Sequence, residues 1–161
     1  MAAGVDPALV HHYFGTKDKL FAASLDLPFN PADLAGQVLA GGVDGAGERL
    51  LRAVFGAWEN PAARAPMMAV IRTATTSEAG AAMLREFLDR NVVQRVAAKL
   101  TPDRARLRAA LVASQMGGLL IARYVISIPA LADTSVEDII AAMAPNLQHY
   151  LSGDLGCPIT G

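Results

Sequence analysis

Apolar residues recur at intervals of three and four positions along most of this chain, and this spacing constrains its fold more than any other feature. Leu50, Leu51, Val54, Phe55 and Trp58, for example, all fall on one face of a helix. No alternating run of β-branched residues is bounded by turn residues, as a strand would require. The sequence therefore predicts an all-α fold of about eight helices.

Prolines, glycines and capping residues divide this pattern into separate helices. Asn60 and Pro61 are expected to end the helix that carries Trp58, and Pro129 to end another. The predicted helices cover residues 8–14, 17–25, 32–40, 48 to about 59, 66–75, a long stretch that opens at Ser77 and Glu78, 103–128 after a cap at Thr101 and Pro102, and a last helix that opens with a Thr134/Glu137 capping box and runs to Leu151, before Gly153.

Composition excludes several classes of protein. The chain has 161 residues, enough for one ordinary domain or two small ones, and its 53% apolar content is too high for intrinsic disorder. Lys plus Arg number 14 and Asp plus Glu number 15, so the net charge of −1 gives no global attraction to nucleic acid or anionic membranes. Any DNA contact must be local.

The sequence also bears on where the protein is located and on whether it is an enzyme. The longest uncharged apolar stretch, residues 109–122, has 14 residues and is too short to span a membrane, and no signal peptide is recognisable. Cys157 is the single cysteine, which indicates a reduced, cytoplasmic setting. Phosphate loops, Gly-x-Ser-x-Gly elbows and metal-ligand clusters are absent, so we expect neither an enzyme nor a cofactor.

The front of the chain carries a compact pattern of turns and caps. Asp6 caps a short helix that Gly15 ends, and Thr16 caps the next one. This is the size of the second half of a helix-turn-helix, whose short recognition helix presents its N-terminal residues to base edges in the major groove. Lys17, at the start of the following helix, is well placed to meet a backbone phosphate.

This front segment resembles the recognition helix and following helix of the TetR family of transcriptional regulators. The resemblance rests on the run Val10-His11-His12-Tyr13-Phe14-Gly15-Thr16-Lys17-Asp18, with Leu20 beyond it. It implies that the residues facing DNA are Asp6, Ala8, Leu9, His11, His12, Tyr13 and Lys17. His11 and Tyr13 are exchanged relative to the usual family pattern, although either ring can donate a hydrogen bond to phosphate. The plainer alternative is that His11 and His12 are solvated surface residues.

The resemblance also predicts a domain organisation. Residues 1–27 would be the remnant of a helix-turn-helix domain that lacks its first helix and most of its second, because the chain was trimmed, its start was misassigned, or it is a natural fragment. Residues 28–152 would form a helical ligand-binding and dimerisation domain, and residues 153–161 a tail. Without those two helices we expect the front segment to be poorly anchored and its DNA affinity low.

The family resemblance implies a dimeric repressor of palindromic operator DNA that a small ligand releases. The alternative is a helical ligand-binding or dimerisation module without effective DNA binding. The two helices before the tail would form a four-helix bundle across a two-fold axis, with Pro145 bending or breaking the last one. Their expected interface residues are Leu111, Gly118, Val136, Ile140, Met143, Leu147 and Tyr150. Packing inside a monomer is the alternative role of these residues.

A ligand pocket is expected among the middle helices. Its candidate residues are Trp58, Met67, Met68, Ile71, Arg72, Phe87, Met116, Arg123 and Tyr124. Each large apolar residue taken alone could equally be ordinary core. Arg72 and Arg123 lie in apolar stretches, and a buried arginine demands a partner. That partner would be an internal acid, with Glu78, Glu86 or Asp89 as candidates, or the acidic end of a small apolar ligand.

Overall fold

The computed structural model describes residues 31–100 and 103–156, and these ranges contain helices and turns but no strand. The helices are α1 (Pro31–Leu39), α2 (Ala46–Trp58), α3 (Pro61–Thr76), α4 (Glu78–Leu88), α5 (Gln94–Ala97), α6 (Ala105–Leu120), α7 (Pro129–Ala132) and α8 (Val136–Ser152). Two π-helical turns, Asp89–Val93 and Ile121–Val125, follow α4 and α6. The all-α prediction is confirmed. Across these ranges, every helix is too short or too polar to cross a bilayer.

Several expectations concern other parts of the chain. The helix-turn-helix remnant over residues 1–27, with its proposed DNA contacts, lies outside the described residues. So do the expected cap at Thr101 and Pro102, Cys157 and the end of the tail.

The core forms where α2 packs along α8 and α8 packs against α6. Its most deeply buried large side chains are Leu51 and Phe55 on α2 and Leu147 and Leu151 on α8. At these spacings each pair faces inward on its own helix, because residues four apart lie one above the other. The apolar pattern therefore becomes a contact between two long helices.

Helix starts follow the local capping chemistry. Ser77 caps α4 as expected, since its side chain accepts a hydrogen bond from the Gly80 amide at 3.2 Å. The expected start of α3 at Pro66 is wrong, because Asn60 caps the helix earlier by accepting from the Ala62 amide at 3.0 Å. Pro66 lies inside α3, where its missing N–H removes one helical hydrogen bond.

The second half of the chain also departs from expectation at its helix ends. The N-cap of α8 is one residue later than predicted: the Ser135 hydroxyl accepts from the Asp138 amide at 3.1 Å and donates to the Asp138 carboxylate at 2.6 Å. Thr134 instead donates to the Ala130 carbonyl. Pro129 opens α7 as well as ending the preceding segment, and α8 runs unbroken through Pro145.

The backbones of α2 and α8 approach each other closely at Gly47. A Cβ atom at this position would lie 2.7 Å from the Ala144 carbonyl oxygen and 2.8 Å from the Gln148 amide nitrogen. The Gly47 amide also donates to the Gln148 side-chain oxygen at 3.2 Å, and the Gln148 side-chain nitrogen donates to the Val43 carbonyl at 3.0 Å. Glycine at position 47 therefore sets how closely the two helices approach.

We expect Gly47→Ala to lower the free energy of unfolding by about 1–3 kcal/mol, because the added methyl group must push α2 away from the α8 backbone. The measurement is urea denaturation. Gly56→Ala in the same helix is the matched control, since no atom lies within 4 Å of a Cβ there. That control should raise stability by roughly 0.5–1 kcal/mol through helix propensity. Equal effects of the two substitutions would contradict the close-packing argument.

Candidate ligand-binding cavity

A cavity of about 270 Å³ lies between the helices of the domain. Its walls come from α1, α2, α3, α4 and α6, with further residues from the first π-helical turn, α5 and the end of α8. On α2 the wall consists of Leu50, Val54 and Trp58, which are spaced four apart and so lie on one stripe. The cavity is thus bounded by the apolar faces that the sequence pattern predicts.

Five of the nine candidate ligand residues lie on the cavity wall. They are Trp58, Met67, Ile71, Phe87 and Met116. Two large rings and two methionines therefore face the same space, and unbranched methionine side chains can adapt to differently shaped molecules. Trp58, Met67, Phe87 and Met116 are buried and Ile71 is half-buried.

The other four candidates do not reach the cavity. Met68 is half-buried and packs against the core behind the wall. Arg72 is exposed on the outer face of α3, so its expected burial is wrong. Arg123 and Tyr124, in the second π-helical turn, lie outside the lining residues, so their placement in the pocket is also wrong.

Arg123 is buried, and its partners are internal. Its guanidinium donates to the Leu131 carbonyl, donates to the Thr134 carbonyl at 2.9 Å, and lies 3.8 Å from the Glu59 carboxylate. It also lies over the Tyr124 ring, 5.4 Å from the centroid. The internal acid is therefore Glu59, which the sequence analysis did not name.

None of the three acids predicted from the sequence is a partner of Arg123. Glu86 pairs with Arg90 at 2.7 Å and Asp89 pairs with Arg106 at 2.9 Å. Glu78 lies in the first turn of α4, where its charge favours the helix N-terminus.

Tyr124 forms a layer directly behind the cavity wall. Its ring stacks on Trp58 with centroids 5.4 Å apart, and its hydroxyl donates to the Glu59 carboxylate at 2.5 Å. Burial, followed by the hydrogen bond to Glu59, raises the pKa of Tyr124 to about 12. Tyr124 therefore supports the position of Trp58 without facing the cavity itself.

Sequence reasoning missed the wall residues contributed by α1 and by much of α6. On α1 these are Leu34, Ala35, Val38 and Leu39, and on α6 they include Val112, Ala113 and Leu120. The spacing of the α1 residues is that of an amphipathic face and could have identified them as facing inward. Their small and aliphatic side chains carry no chemical signal that separates a cavity wall from a core.

The cavity wall is chemically uniform. All of the lining residues from the described ranges are alanine, glycine or larger apolar residues, with no charged side chain among them. Nor do the described residues contain a group of three His, Cys, Asp or Glu side chains that could hold a metal ion. The arrangement can bury apolar surface and offers little else.

The predicted interface residues divide between core and surface. Ile140 and Leu147 are buried within the single chain, so they have no surface for a partner, and the expectation that they contact one is wrong. The a/d-like spacing on α8 in fact describes its packing against α2 and α6. Val136, Met143 and Tyr150 are half-buried and partly packed on the same core.

The outward face of α6 and its π-helical extension is apolar except at Ser114, whose hydroxyl donates to the Leu111 carbonyl. Leu107, Leu111, Gly118, Ile121 and Val125 follow one another at spacings that keep them on one side. Leu107 is 46% exposed, and a Cβ on Gly118 would meet no atom within 4 Å. We call these five residues the α6 stripe.

We expect Glu59→Gln to lower the pKa of Tyr124 from about 12, because the carboxylate that raises it is removed while the Arg123 guanidinium, which lowers it, remains. The measurement is a near-ultraviolet absorbance titration of the phenolate. Subtracting the titration of Tyr124→Phe isolates this residue among the three tyrosines.

The same shift makes a stability prediction. The folded state holds the Tyr124 proton more tightly than the unfolded state, so this contribution is complete below pH 10 and is lost as pH rises towards 12. Wild-type protein should therefore lose more stability than Tyr124→Phe over that interval. Parallel losses would show that the environment of Tyr124 is not as described.

Comparison with known proteins gives a consistent result. Residues 44–151 match the family model described as the tetracyclin repressor-like C-terminal domain. The crystal structure of a TetR-family regulator from Streptomyces coelicolor is similar, with 32% sequence identity and a TM-score of 0.67. That match covers 92% of this chain and 77% of the other chain. A search of curated proteins finds no match.

The matched residues 44–151 include every helix from α2 to α7 and nearly all of α8, together with most of the cavity wall. The family match therefore rests on the same packed unit that the structure describes, and it agrees with the resemblance of the front segment. The chain belongs to the TetR family of regulators.

Proposed function

We propose that this chain is a cytoplasmic, homodimeric transcriptional repressor that binds palindromic operator DNA and is released by a small apolar ligand. The observation that carries this proposal is the apolar cavity of about 270 Å³ inside the domain that matches the family model. A core of ordinary packing has few voids larger than a water molecule. A cavity of this size bounded by several helices is a default binding site.

The position of α1 supports a regulatory role for the cavity. Leu34, Ala35, Val38 and Leu39 belong both to α1 and to the cavity wall. In sequence, α1 directly follows the segment over residues 1–27 proposed to contact DNA. A molecule in the cavity touches this helix, and it can release DNA if it binds one arrangement of α1 better than another.

The proposed DNA contacts come from residues 6–17. Asp6, Ala8, Leu9, His11, His12, Tyr13 and Lys17 would meet bases and phosphates. Because the net charge of the chain is −1, binding depends on this local set of side chains.

The α6 stripe is the proposed centre of the dimer interface. It presents apolar surface where α6 lies beside α8, and Gly118 leaves room for a second helix to approach closely. The exposed portions of Val136, Met143 and Tyr150 on α8 would extend the contact. A two-fold axis here could hold two recognition helices about 34–36 Å apart, one turn of DNA.

The first experiment is selection of binding sites from random DNA duplexes with the full chain. A palindromic consensus is expected, and its affinity should fall with Lys17→Ala at every sequence, with the salt dependence reduced by about one charge. Lys99→Ala is the matched control, because Lys99 is exposed and is far in sequence from the proposed DNA-contacting segment. Recovery of no consensus would favour the ligand-binding or dimerisation module.

We expect Leu107→Glu to weaken the dimer at least about tenfold, because the substitution buries a charge within the α6 stripe contact. Sedimentation velocity over a range of protein concentrations measures the effect. Met83→Glu is the control, since Met83 is 52% exposed on α4 and lies outside the stripe. A wild-type monomer, or equal effects of both substitutions, would overturn the proposed interface.

A further inference from the structure

Within the proposed function, the chemistry of the cavity wall narrows the class of ligand. We infer that the cavity takes an uncharged, mainly hydrocarbon molecule that carries one hydrogen-bond acceptor, and that the Trp58 indole N–H donates to this acceptor. The inference rests on the proposed ligand-binding role of the cavity. It adds the charge, the size and the single polar contact of the molecule.

The described part of the wall offers no partner to an ionised ligand. A buried carboxylate or ammonium group needs a partner of opposite charge, and the lining residues from the described ranges provide none. The two arginines that could have served are engaged or distant. Arg123 donates to the carbonyls of Leu131 and Thr134, and Arg72 is exposed on α3.

The volume sets the size of the molecule. An apolar protein cavity of about 150 Å³ accommodates benzene, which has six carbon atoms. By proportion, the cavity of about 270 Å³ accommodates roughly ten non-hydrogen atoms. Two fused six-membered rings are of this size.

Among the lining residues that the structure describes, Trp58 carries the one polar side-chain group. The Trp58 residue is 5% exposed, and the Tyr124 ring stacks on its indole ring. Within residues 31–100 and 103–156, its indole N–H makes no hydrogen bond. The other lining side chains, all apolar, carry no N–H or O–H group.

A bound hydrocarbon would cut the indole N–H off from water, and leaving a covered N–H without a partner costs free energy. A carbonyl or ether oxygen on the ligand would remove that cost. A pure hydrocarbon of the same shape would leave it in place. The N–H of Trp58 therefore favours a molecule with an acceptor over its hydrocarbon analogue, and the uniform wall favours one acceptor over several.

The test uses three probes that share one fused two-ring system: tetralin, 1-tetralone and the anion of 1,2,3,4-tetrahydro-1-naphthoic acid. Binding to the full chain is measured by calorimetry. Fluorescence gives a second readout for the wild type, because Trp58 is the single tryptophan. The anion should bind at least about tenfold more weakly than 1-tetralone, since its charge has no partner on the wall.

The contribution of the N–H is measured with Trp58→Phe, which keeps an aromatic ring and removes the donor. The ratio of the tetralin Kd to the 1-tetralone Kd should fall about threefold to tenfold in this variant, the range expected for one neutral hydrogen bond. Using the ratio cancels the difference in water solubility between the probes. An unchanged ratio would overturn the assignment of Trp58, and equal affinity for the anion would overturn the assignment of charge.

A second pair of variants locates the binding. Ala113→Phe places a ring in the cavity and should abolish 1-tetralone binding, whereas Ala53→Phe, on the exposed face of α2, should leave it unchanged. Circular dichroism establishes that both variants are folded. Equal binding to the two variants, or no binding of any probe to wild type, would overturn the inference. The proposed DNA binding and dimerisation are decided separately by site selection and sedimentation.

Discussion

The contact between α2 and α8 organises the described part of this protein. Gly47 allows the first turn of α2 to meet the α8 backbone, and Leu51 and Phe55 then pack towards Leu147 in the core. This contact fixes the orientation of α2 about its own axis. Val54 and Trp58 consequently face the cavity, because they lie on the stripe adjacent to the buried one. The same orientation of α2 therefore determines which of its residues enter the core and which line the cavity.

Three arginine side chains bind the backbone of the segments between helices, and none of the three lines the cavity. Arg49 donates to the carbonyls of Val38, Gly42 and Asp44, which closes the connection from α1 to α2. Arg108 binds the carbonyls of Tyr150 and Gly153 at the end of α8, where a cation also complements the helix dipole. Arg123 donates to the carbonyls of Leu131 and Thr134, at α7 and just after it. The three guanidinium groups thus bind backbone carbonyls outside the cavity, and Arg108 and Arg123 also pair with the carboxylates of Asp103 and Glu59.

Helix α6 serves two surfaces at once. Val112 and Met116 line the cavity, while Leu107 and Gly118 belong to the outward α6 stripe. A molecule in the cavity and a second copy of the chain would therefore contact opposite faces of one helix. Packed helices shift as units because interiors are dense. Under the proposed function, this shared helix is a physical route by which ligand binding and dimer geometry influence each other.

The sequence by itself determined the helical class, most helix ends and the apolar face of α2, because periodicity and caps are local properties of the chain. It also identified Trp58, Met67 and Met116, whose size suits a cavity wall. Tertiary structure decided which apolar faces meet. That is why Ile140 and Leu147 are core rather than interface, and why the lining of α1 could not be told from core. Partners distant in sequence, such as Glu59 for Tyr124, depend on how the helices pack, which no local pattern records.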